Sequence, residues 1–157
     1  MGIKTASIHY HFPTKTDLVL AIVTSQKATT HQYLQHLIHH ESLSEREKIE
    51  ALCHSILSTT FLEEEKMCLA GMLATDVLTL DEPIEKAVAD LIETIKLGIA
   101  QIIQYGIKQK EFNPNTHPES TASALVAAIE ESLILTQLFK DENTFKHVMD
   151  VILNRLL

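Results

Sequence analysis

Residues 81–109 read DEPIEKAVADLIETIKLGIAQIIQYGIKQ, and this stretch decides the fold class. Its apolar residues recur at spacings of three and four, which places them on one face of an amphipathic helix. They are Ile84, Val88, Leu91, Ile92, Ile95, Ile99, Ile102 and Ile103. Asp81 and Pro83 are typical of a helix start, so the pattern predicts one long helix that ends near Gln109.

Helical patterns also fill the chain before this stretch. A long helix is predicted over 14–40, and Ser44 with Glu47 predicts a capping box for a second helix that runs to about Phe61. A short helix is expected over 67–77. The apolar stripe of the long helix is interrupted and consists of Leu18, Ile22, Tyr33 and Leu37.

After this stretch, the Asn-Pro-Asn segment at 113–115 breaks the helical pattern. Thr116 and Glu119 predict a capping box, with Pro118 in the first turn, for a helix that reaches about Lys140. Asp141 is expected to cap a last helix. No strand alternation of useful length occurs, so the predicted class is all-α.

The first 27 residues, MGIKTASIHYHFPTKTDLVLAIVTSQK, carry groups that are able to contact nucleic acid. A short helix is expected to begin near Lys4 and to present basic, hydroxyl and aromatic side chains that reach base edges and phosphates. These are Lys4, Thr5, Ser7, His9, Tyr10 and His11. Pro13 ends that helix and Thr14 caps the next one. Lys15 then opposes the helix dipole, so an external phosphate best explains its position.

This segment resembles the second half of the helix-turn-helix of the tetracycline-repressor-like (TetR) family of transcriptional regulators. The residues that fit the family pattern are Gly2, Ile3, Ser7, Ile8, Tyr10, His11, Phe12, Thr14, Lys15 and Leu18. His9 lies where the pattern has its Leu-Tyr junction, so His9 or Tyr10 occupies the tyrosine position, depending on the alignment.

The resemblance implies roles for individual residues and a division of the chain. Lys4, Thr5, Ser7 and His9 would face bases, and Tyr10, His11 and Lys15 would face phosphates. Two further helices precede this point in the family, whereas only Met1 precedes it here. Residues 1–40 are therefore expected to be a remnant of the DNA-binding domain plus a connecting helix, and the chain is expected to be truncated and deficient in DNA binding. Residues 41–157 would be the effector-binding and dimerisation domain.

The net charge of −8 is unevenly distributed. Residues 1–27 contain three lysines against one aspartate, whereas the rest of the chain carries ten basic and twenty acidic residues. A basic tip on an acidic body would orient the chain towards operator DNA through that tip.

An effector chamber is predicted between this tip and the last helices. Residues 67–73 combine small and soft apolar side chains, and Gly71, a poor helix former, indicates a close approach by a ligand or by a neighbouring helix. Polar or aromatic groups on otherwise apolar helices complete the usual composition of a small-molecule pocket. The predicted ligand-binding residues are His54, Phe61, Met67, Cys68, Met72, Tyr105 and Glu130.

Residues 118–157 predict a homodimer. The run ASALVAAIEESLILTQL at 122–138 has small residues on one side and larger aliphatic residues on the other, and the chain is apolar up to Leu157. Pairing across a two-fold axis would bury these faces in a four-helix bundle. A core within one chain is the alternative. The resemblance favours the dimer. It would place the two copies of the short helix that begins near Lys4, here called the reading helix, one DNA turn apart, about 34–36 Å.

Several other functions are alternatives to that of a transcriptional regulator. His36 and His40 have the spacing of metal ligands, but the helix dipole alone favours histidines at a helix C-terminus. Cys68 is either an oxidation sensor or an ordinary small apolar residue. No phosphate loop or catalytic pair is visible, so we expect no enzyme activity, no catalytic residue, no resident metal and no cofactor.

The absence of a signal peptide and of any uninterrupted apolar run of about 18 residues predicts a cytoplasmic protein with no membrane partner. The sequence therefore predicts a ligand-responsive DNA-binding regulator, a repressor that a small-molecule effector releases from its operator. The sign of regulation is not fixed by the residues. The alternative functions are a dimeric helical ligand- or protein-binding module without DNA function, and a metal-dependent helical bundle.

Overall fold

The computed structural model describes residues 10–62 and 68–155. Within them lie six α-helices and no strand, which confirms the predicted all-α class. The helices are α1 (Lys15–Ile38), α2 (Glu45–Leu57), α3 (Leu69–Thr75), α4 (Glu82–Lys108), α5 (Pro118–Phe139) and α6 (Asn143–Leu153). A π-helix (Ser58–Leu62) continues α2, and a 3₁₀ turn (Val77–Thr79) follows α3.

Two of the predicted caps form as the sequence indicates. The Thr14 side chain accepts the amide of Asp17, and the Asp17 carboxylate accepts the Thr14 amide at 3.0 Å. The Ser44 hydroxyl accepts the amide of Glu47 at 3.2 Å, and Glu47 accepts the Ser44 amide at 2.8 Å. Each box satisfies backbone N–H groups that a helix start leaves without partners.

Ser44→Ala is expected to lower the free energy of unfolding by about 1 kcal/mol, because the Glu47 amide then loses its side-chain acceptor. Denaturant titration of the variant would measure this change. Ser42→Ala, two residues earlier in the same connection and outside the capping box, is the control. A Ser44→Ala variant as stable as the Ser42→Ala variant would show that the cap contributes nothing.

Of the two downstream caps, the predicted capping box at Thr116 is wrong, whereas Asp141 does accept a backbone amide at the start of the last helix. Helix α5 begins at Pro118 with His117 as its cap residue, which makes no side-chain cap bond. Thr116 therefore lies one position before the cap, and Glu119 is the second helical residue rather than the third that a capping box requires. The Thr116 amide instead bonds to the Asn113 carbonyl in the preceding turn, at 3.0 Å. At the start of α6, Glu142 occupies the position before Asn143 and makes no side-chain cap bond. The Asp141 carboxylate instead accepts the Asn143 amide at 3.0 Å, so Asp141 supplies the side-chain acceptor that the sequence predicted.

The predicted stripe of α1 was also partly wrong. Ile22 is 47% exposed, whereas Val23 is fully buried. Because the first half of α1 packs along α4, Val23 points into a smaller apolar cluster with Ile84, Val88 and Leu91. The predicted apolar position Leu37 is buried in the main core.

Helix α4 is the central element of that core, as its amphipathic pattern predicted. Ile99, Ile102 and Ile103 are fully buried, and α4 packs against α1, α2, α3 and α5. The core continues through α5 and α6, with Leu125 on α5 fully buried. The first half of α1 thus lies on α4 at one end of a helical bundle that α5 and α6 complete.

Two charged contacts hold the N-terminus of α2. The Glu111 carboxylate, which follows α4, accepts the amides of Glu45 at 2.8 Å and of Arg46 at 2.9 Å. The Lys48 ammonium donates to the Ile38 carbonyl at the end of α1, at 3.1 Å, and pairs with Glu45 at 2.7 Å. Both side chains of this ion pair are buried. The network joins α1, α2 and the segment after α4.

Candidate functional site

The predicted DNA-contacting residues lie at the start of the described chain. Lys4, Thr5, Ser7 and His9 fall outside the described residues, whereas Tyr10, His11 and Lys15 fall within them. Tyr10 is 82% exposed, and its ring meets the His11 ring edge to face with centres 5.1 Å apart. Lys15 is exposed in the first turn of α1. These three side chains are therefore accessible to a phosphate backbone.

Side-chain contacts link the N-terminal half of α1 to α4. The Thr16 hydroxyl, in the first turn of α1, donates to the Asp81 carboxylate at 2.5 Å. Asp81 is the cap residue of α4, yet its side chain makes no cap bond to that helix. Farther along, Lys27 and Asp90 form a half-exposed ion pair at 3.4 Å. These two contacts link the start and the middle of α1 to α4.

Two of the predicted ligand-binding residues meet between α3 and α5. The Cys68 thiol donates to Glu130 Oε1 at 3.2 Å. The other carboxylate oxygen, Oε2, lies so close to Gly71 that a β-carbon at this position would clash with it. The close approach that the sequence predicted at Gly71 is thus made by the Glu130 side chain of α5. Glu130 forms no ion pair with a cationic side chain among the residues that the structure describes.

Burial governs the protonation of this pair. It raises the pKa of the Cys68 thiol to about 12, and the nearby Glu130 carboxylate adds to that increase. Burial also raises the pKa of Glu130, although the thiol hydrogen bond opposes the change. A thiol with such a pKa remains protonated at neutral pH and is a poor nucleophile. The pair is therefore suited to hydrogen bonding rather than to attack on an electrophile.

We expect Cys68 in the folded chain to react with a maleimide roughly a hundredfold more slowly at pH 7.5 than in the unfolded chain. A Cys53→Ser background isolates the reaction, because burial also raises the pKa of Cys53 to about 12. Glu130→Gln should speed the reaction by removing the negative charge. Equal rates in the folded and unfolded chains would identify Cys68 as a reactive thiol.

Glu130 should also make stability depend on pH. Because the folded chain holds this proton more tightly than the unfolded chain, the carboxyl favours folding at low pH and loses that contribution as pH rises through the raised pKa. Between about pH 4 and pH 7, Glu130→Gln should therefore become progressively more stable than the wild type. Glu131→Gln, at the exposed neighbouring position, is the control. Parallel pH profiles for the wild type and the Glu130→Gln variant would refute the effect.

The remaining predicted ligand-binding residues lie in different surroundings. Phe61 belongs to the π-helix and packs on the main core. Met72 is 45% exposed on α3, and Tyr105 is 36% exposed with the Lys108 ammonium 5.6 Å from its ring centre. Met67 lies outside the described residues.

His54 lines an open groove of about 600 Å³ between α1, α2 and the π-helix. Tyr33, whose hydroxyl donates to the Ala51 carbonyl at 3.2 Å, forms part of its wall. Sequence reasoning missed the other polar residues of this groove. These residues follow Ala51 and His54 at spacings of three and four along α2 and its π-helical extension, and they carry small hydroxyl side chains. That pattern was the signal in the sequence from which the groove could have been predicted. They are Ser55, Ser58 and Thr59.

The predicted dimer face exposes apolar side chains near the end of α5 and on α6. Leu138 and Phe139 are 68% and 62% exposed, and Val151 on α6 is 57% exposed. Among the described residues, α5 is the one helix long and apolar enough to cross a membrane, with a mean hydropathy of 1.4 over 18 residues, 39% of them buried. Its buried face packs on α4 and α6, as in the core helix of a bundle.

Comparisons with known proteins identify a family model and several solved structures that are similar to this chain. The family model described as the tetracyclin repressor-like C-terminal domain matches residues 46–152. A search of curated proteins found no match. Among solved structures, a TetR transcriptional regulator from Legionella pneumophila is 31% identical with a TM-score of 0.89, and the alignment covers 99% of this chain and 81% of that one.

Two more distant structures share the fold. The regulatory protein TetR from Rhodobacter sphaeroides is 16% identical with a TM-score of 0.90, over 99% of this chain and 82% of that one. The reduced form of Escherichia coli NemR is 18% identical with a TM-score of 0.83, over 99% and 81% of the two chains. The family model and the Legionella relative together show that this chain belongs to the tetracycline-repressor-like (TetR) family of transcriptional regulators.

Proposed function

We propose that this protein is a cytoplasmic, ligand-responsive repressor that binds operator DNA as a homodimer and releases it when a small-molecule effector binds. The observation that supports this most directly is the course of α1. The helix begins beside the exposed Tyr10, His11 and Lys15 and ends in the main core at Leu37 and Ile38. It therefore connects a DNA-facing end with the body of the bundle. We propose no enzymatic role.

For DNA recognition we propose that Lys4, Thr5, Ser7 and His9 contact bases and that Tyr10, His11 and Lys15 contact phosphates. The exposure of the last three residues supports the phosphate contacts. Phosphate contacts by cations release counterions, so affinity should fall steeply with salt.

For assembly we propose that residues 118–157 of two copies form a four-helix bundle. The exposed apolar side chains of α5 and α6 support this arrangement, since a second copy would remove them from water. Exposed alanines at 124 and 127 would allow close approach of the helices. The two-fold axis would then present two reading helices to successive major grooves.

For effector binding we propose the region around Cys68 and Glu130. A half-buried carboxylate without a cationic partner among the described side chains is a strong acceptor for a ligand donor. The adjoining π-helix supports this placement, because π-helical turns are frequent at functional sites and this one packs against α5. A ligand that displaces Glu130 from Gly71 would shift α3 against α4. The contact between Thr16 and Asp81 would pass that shift to the tip.

The test is a DNA-binding titration at several salt concentrations with DNA that flanks the gene. One arm uses residues 1–157, and the other uses the chain extended by its upstream coding region. Lys15→Ala in the extended form serves as the phosphate-contact variant and should reduce the salt slope by about one. Binding by the extended form with a steep salt slope would support the regulator. Dimerisation and ligand uptake without DNA affinity in either arm would favour the binding module instead.

A further inference from the structure

Three histidines lie at the end of α1, and the rings of two of them are in contact in a T-shaped arrangement. The rings of His36 and His40 have centres 5.4 Å apart and planes inclined by 73°. His36 is exposed and His40 is partly exposed. The ring of His39 makes a separate contact, because its Nδ1 lies 2.8 Å from the Gln35 carbonyl oxygen.

We propose that His36 and His40 form a two-histidine chelate for a divalent transition-metal ion of the Ni²⁺, Cu²⁺ or Zn²⁺ class. Two imidazoles that bind one ion at a metal–nitrogen distance of about 2.0–2.1 Å, with a tetrahedral angle between them, have ring centres about 5 Å apart. The observed separation of 5.4 Å is close to that value. Imidazole nitrogen is a preferred ligand of these ions.

The surroundings of His40 favour this use of the ring. Ser42 Oγ lies 3.2 Å from His40 Nδ1. In the tautomer in which Nδ1–H donates to this hydroxyl, Nε2 is the nitrogen that can bind a metal ion. Metal-bound histidines usually have such a partner on their second nitrogen. The C-terminus of α1 also carries the negative end of the helix dipole, which attracts a cation.

The chelate has two protein ligands. Within residues 10–62 and 68–155, no group of three or more histidine, cysteine, aspartate or glutamate side chains is arranged to hold a metal ion. Water would complete the coordination, as it does at open metal sites, so we expect affinity in the micromolar range rather than that of a closed structural site. The bound ion would tie the last turn of α1 to the connection that leads into α2 and would oppose fraying of that helix end.

Calorimetric titration of the untagged, metal-free chain with Ni²⁺, and separately with Zn²⁺, tests the proposal. We expect one saturable site per chain that weakens roughly tenfold or more in His36→Ala and in His40→Ala. The matched control is His39→Ala, which removes the neighbouring histidine that points to Gln35 and should leave affinity unchanged. Ser42→Ala should weaken binding by a smaller factor than either ligand variant.

Thermal unfolding provides a second readout, because a ligand bound only by the folded chain raises the unfolding temperature. Added Ni²⁺ should raise it for the wild type and for His39→Ala, but not for His36→Ala or His40→Ala. Absence of saturable binding would overturn the proposal. Equal losses in all three histidine variants would also overturn it, since they would indicate diffuse association with surface histidines.

Discussion

Lys48→Met is expected to lower the free energy of unfolding by about 3–5 kcal/mol, because it leaves the Glu45 carboxylate buried without its cation. The two side chains are 6% and 3% exposed and their charged atoms lie 2.7 Å apart. Lys48 also donates to the last carbonyl of α1, at Ile38, which the variant leaves without that donor. Glu45 Oε2 has no hydrogen-bond partner among the described residues, so the lysine is the main compensation for this charge.

The chain offers a closely matched control in Lys96→Met. Lys96 and Glu93 have the same spacing of three residues and the same separation of 2.7 Å, but their side chains are 31% and 53% exposed. Solvent screens such a pair, so we expect a loss of less than about 1 kcal/mol. Urea titration of both variants measures the difference. The double variant Glu45→Gln/Lys48→Met should recover part of the loss, and similar losses in Lys48→Met and Lys96→Met would show that burial is unimportant here.

The contrast between these two pairs shows what the sequence was able to predict. Glu45 and Lys48, like Glu93 and Lys96, appear in the sequence only as opposite charges on a helix. Nothing local distinguishes them, because the burial of the first pair comes from the end of α1 and from the segment after α4. Local patterns did predict the amphipathic α4 and the Ser44 capping box, since the determinants of each lie within a few residues.

The same limit applies to the candidate site, where local sequence indicated single residues but not the contacts between distant ones. Gly71 and Glu130 each stood out in the sequence, one as a helix-weakening residue and the other as a charge on an apolar helix. Their contact joins residues almost sixty positions apart, and no spacing rule indicates it. Likewise, Asp81 was recognised as a helix start, whereas its bond to Thr16 depends on how α1 lies against α4. The sequence therefore identified individual candidate residues, whereas the tertiary packing of the helices determines which of these residues are in contact.

Gly106→Ala is expected to lower the free energy of unfolding by about 1–3 kcal/mol, although alanine is the better helix former. A β-carbon on Gly106, near the end of α4, would overlap the ring of Phe112. That ring is 3% exposed and belongs to the main core, so it has no open space into which it can move. The amides of Glu111 and Phe112 both bond to the Gly106 carbonyl, at 2.8 and 3.1 Å, which fixes the returning chain against the helix. Displacing Phe112 would also move the Glu111 carboxylate away from the α2 amides.

Gly71→Ala separates this clash from the general effect of a glycine in a helix. Its new β-carbon would meet only the end of the Glu130 side chain, which is flexible and half-buried and can turn aside. The gain in helix propensity, up to about 1 kcal/mol, should roughly offset the loss of the Cys68–Glu130 hydrogen bond, so Gly71→Ala should be about as stable as the wild type. Chemical denaturation of both variants, with hydrogen exchange at the Glu45 and Arg46 amides, tests the account. A Gly106→Ala variant that is as stable as Gly71→Ala and keeps those amides protected would show that α4 and its return segment adapt without releasing α2.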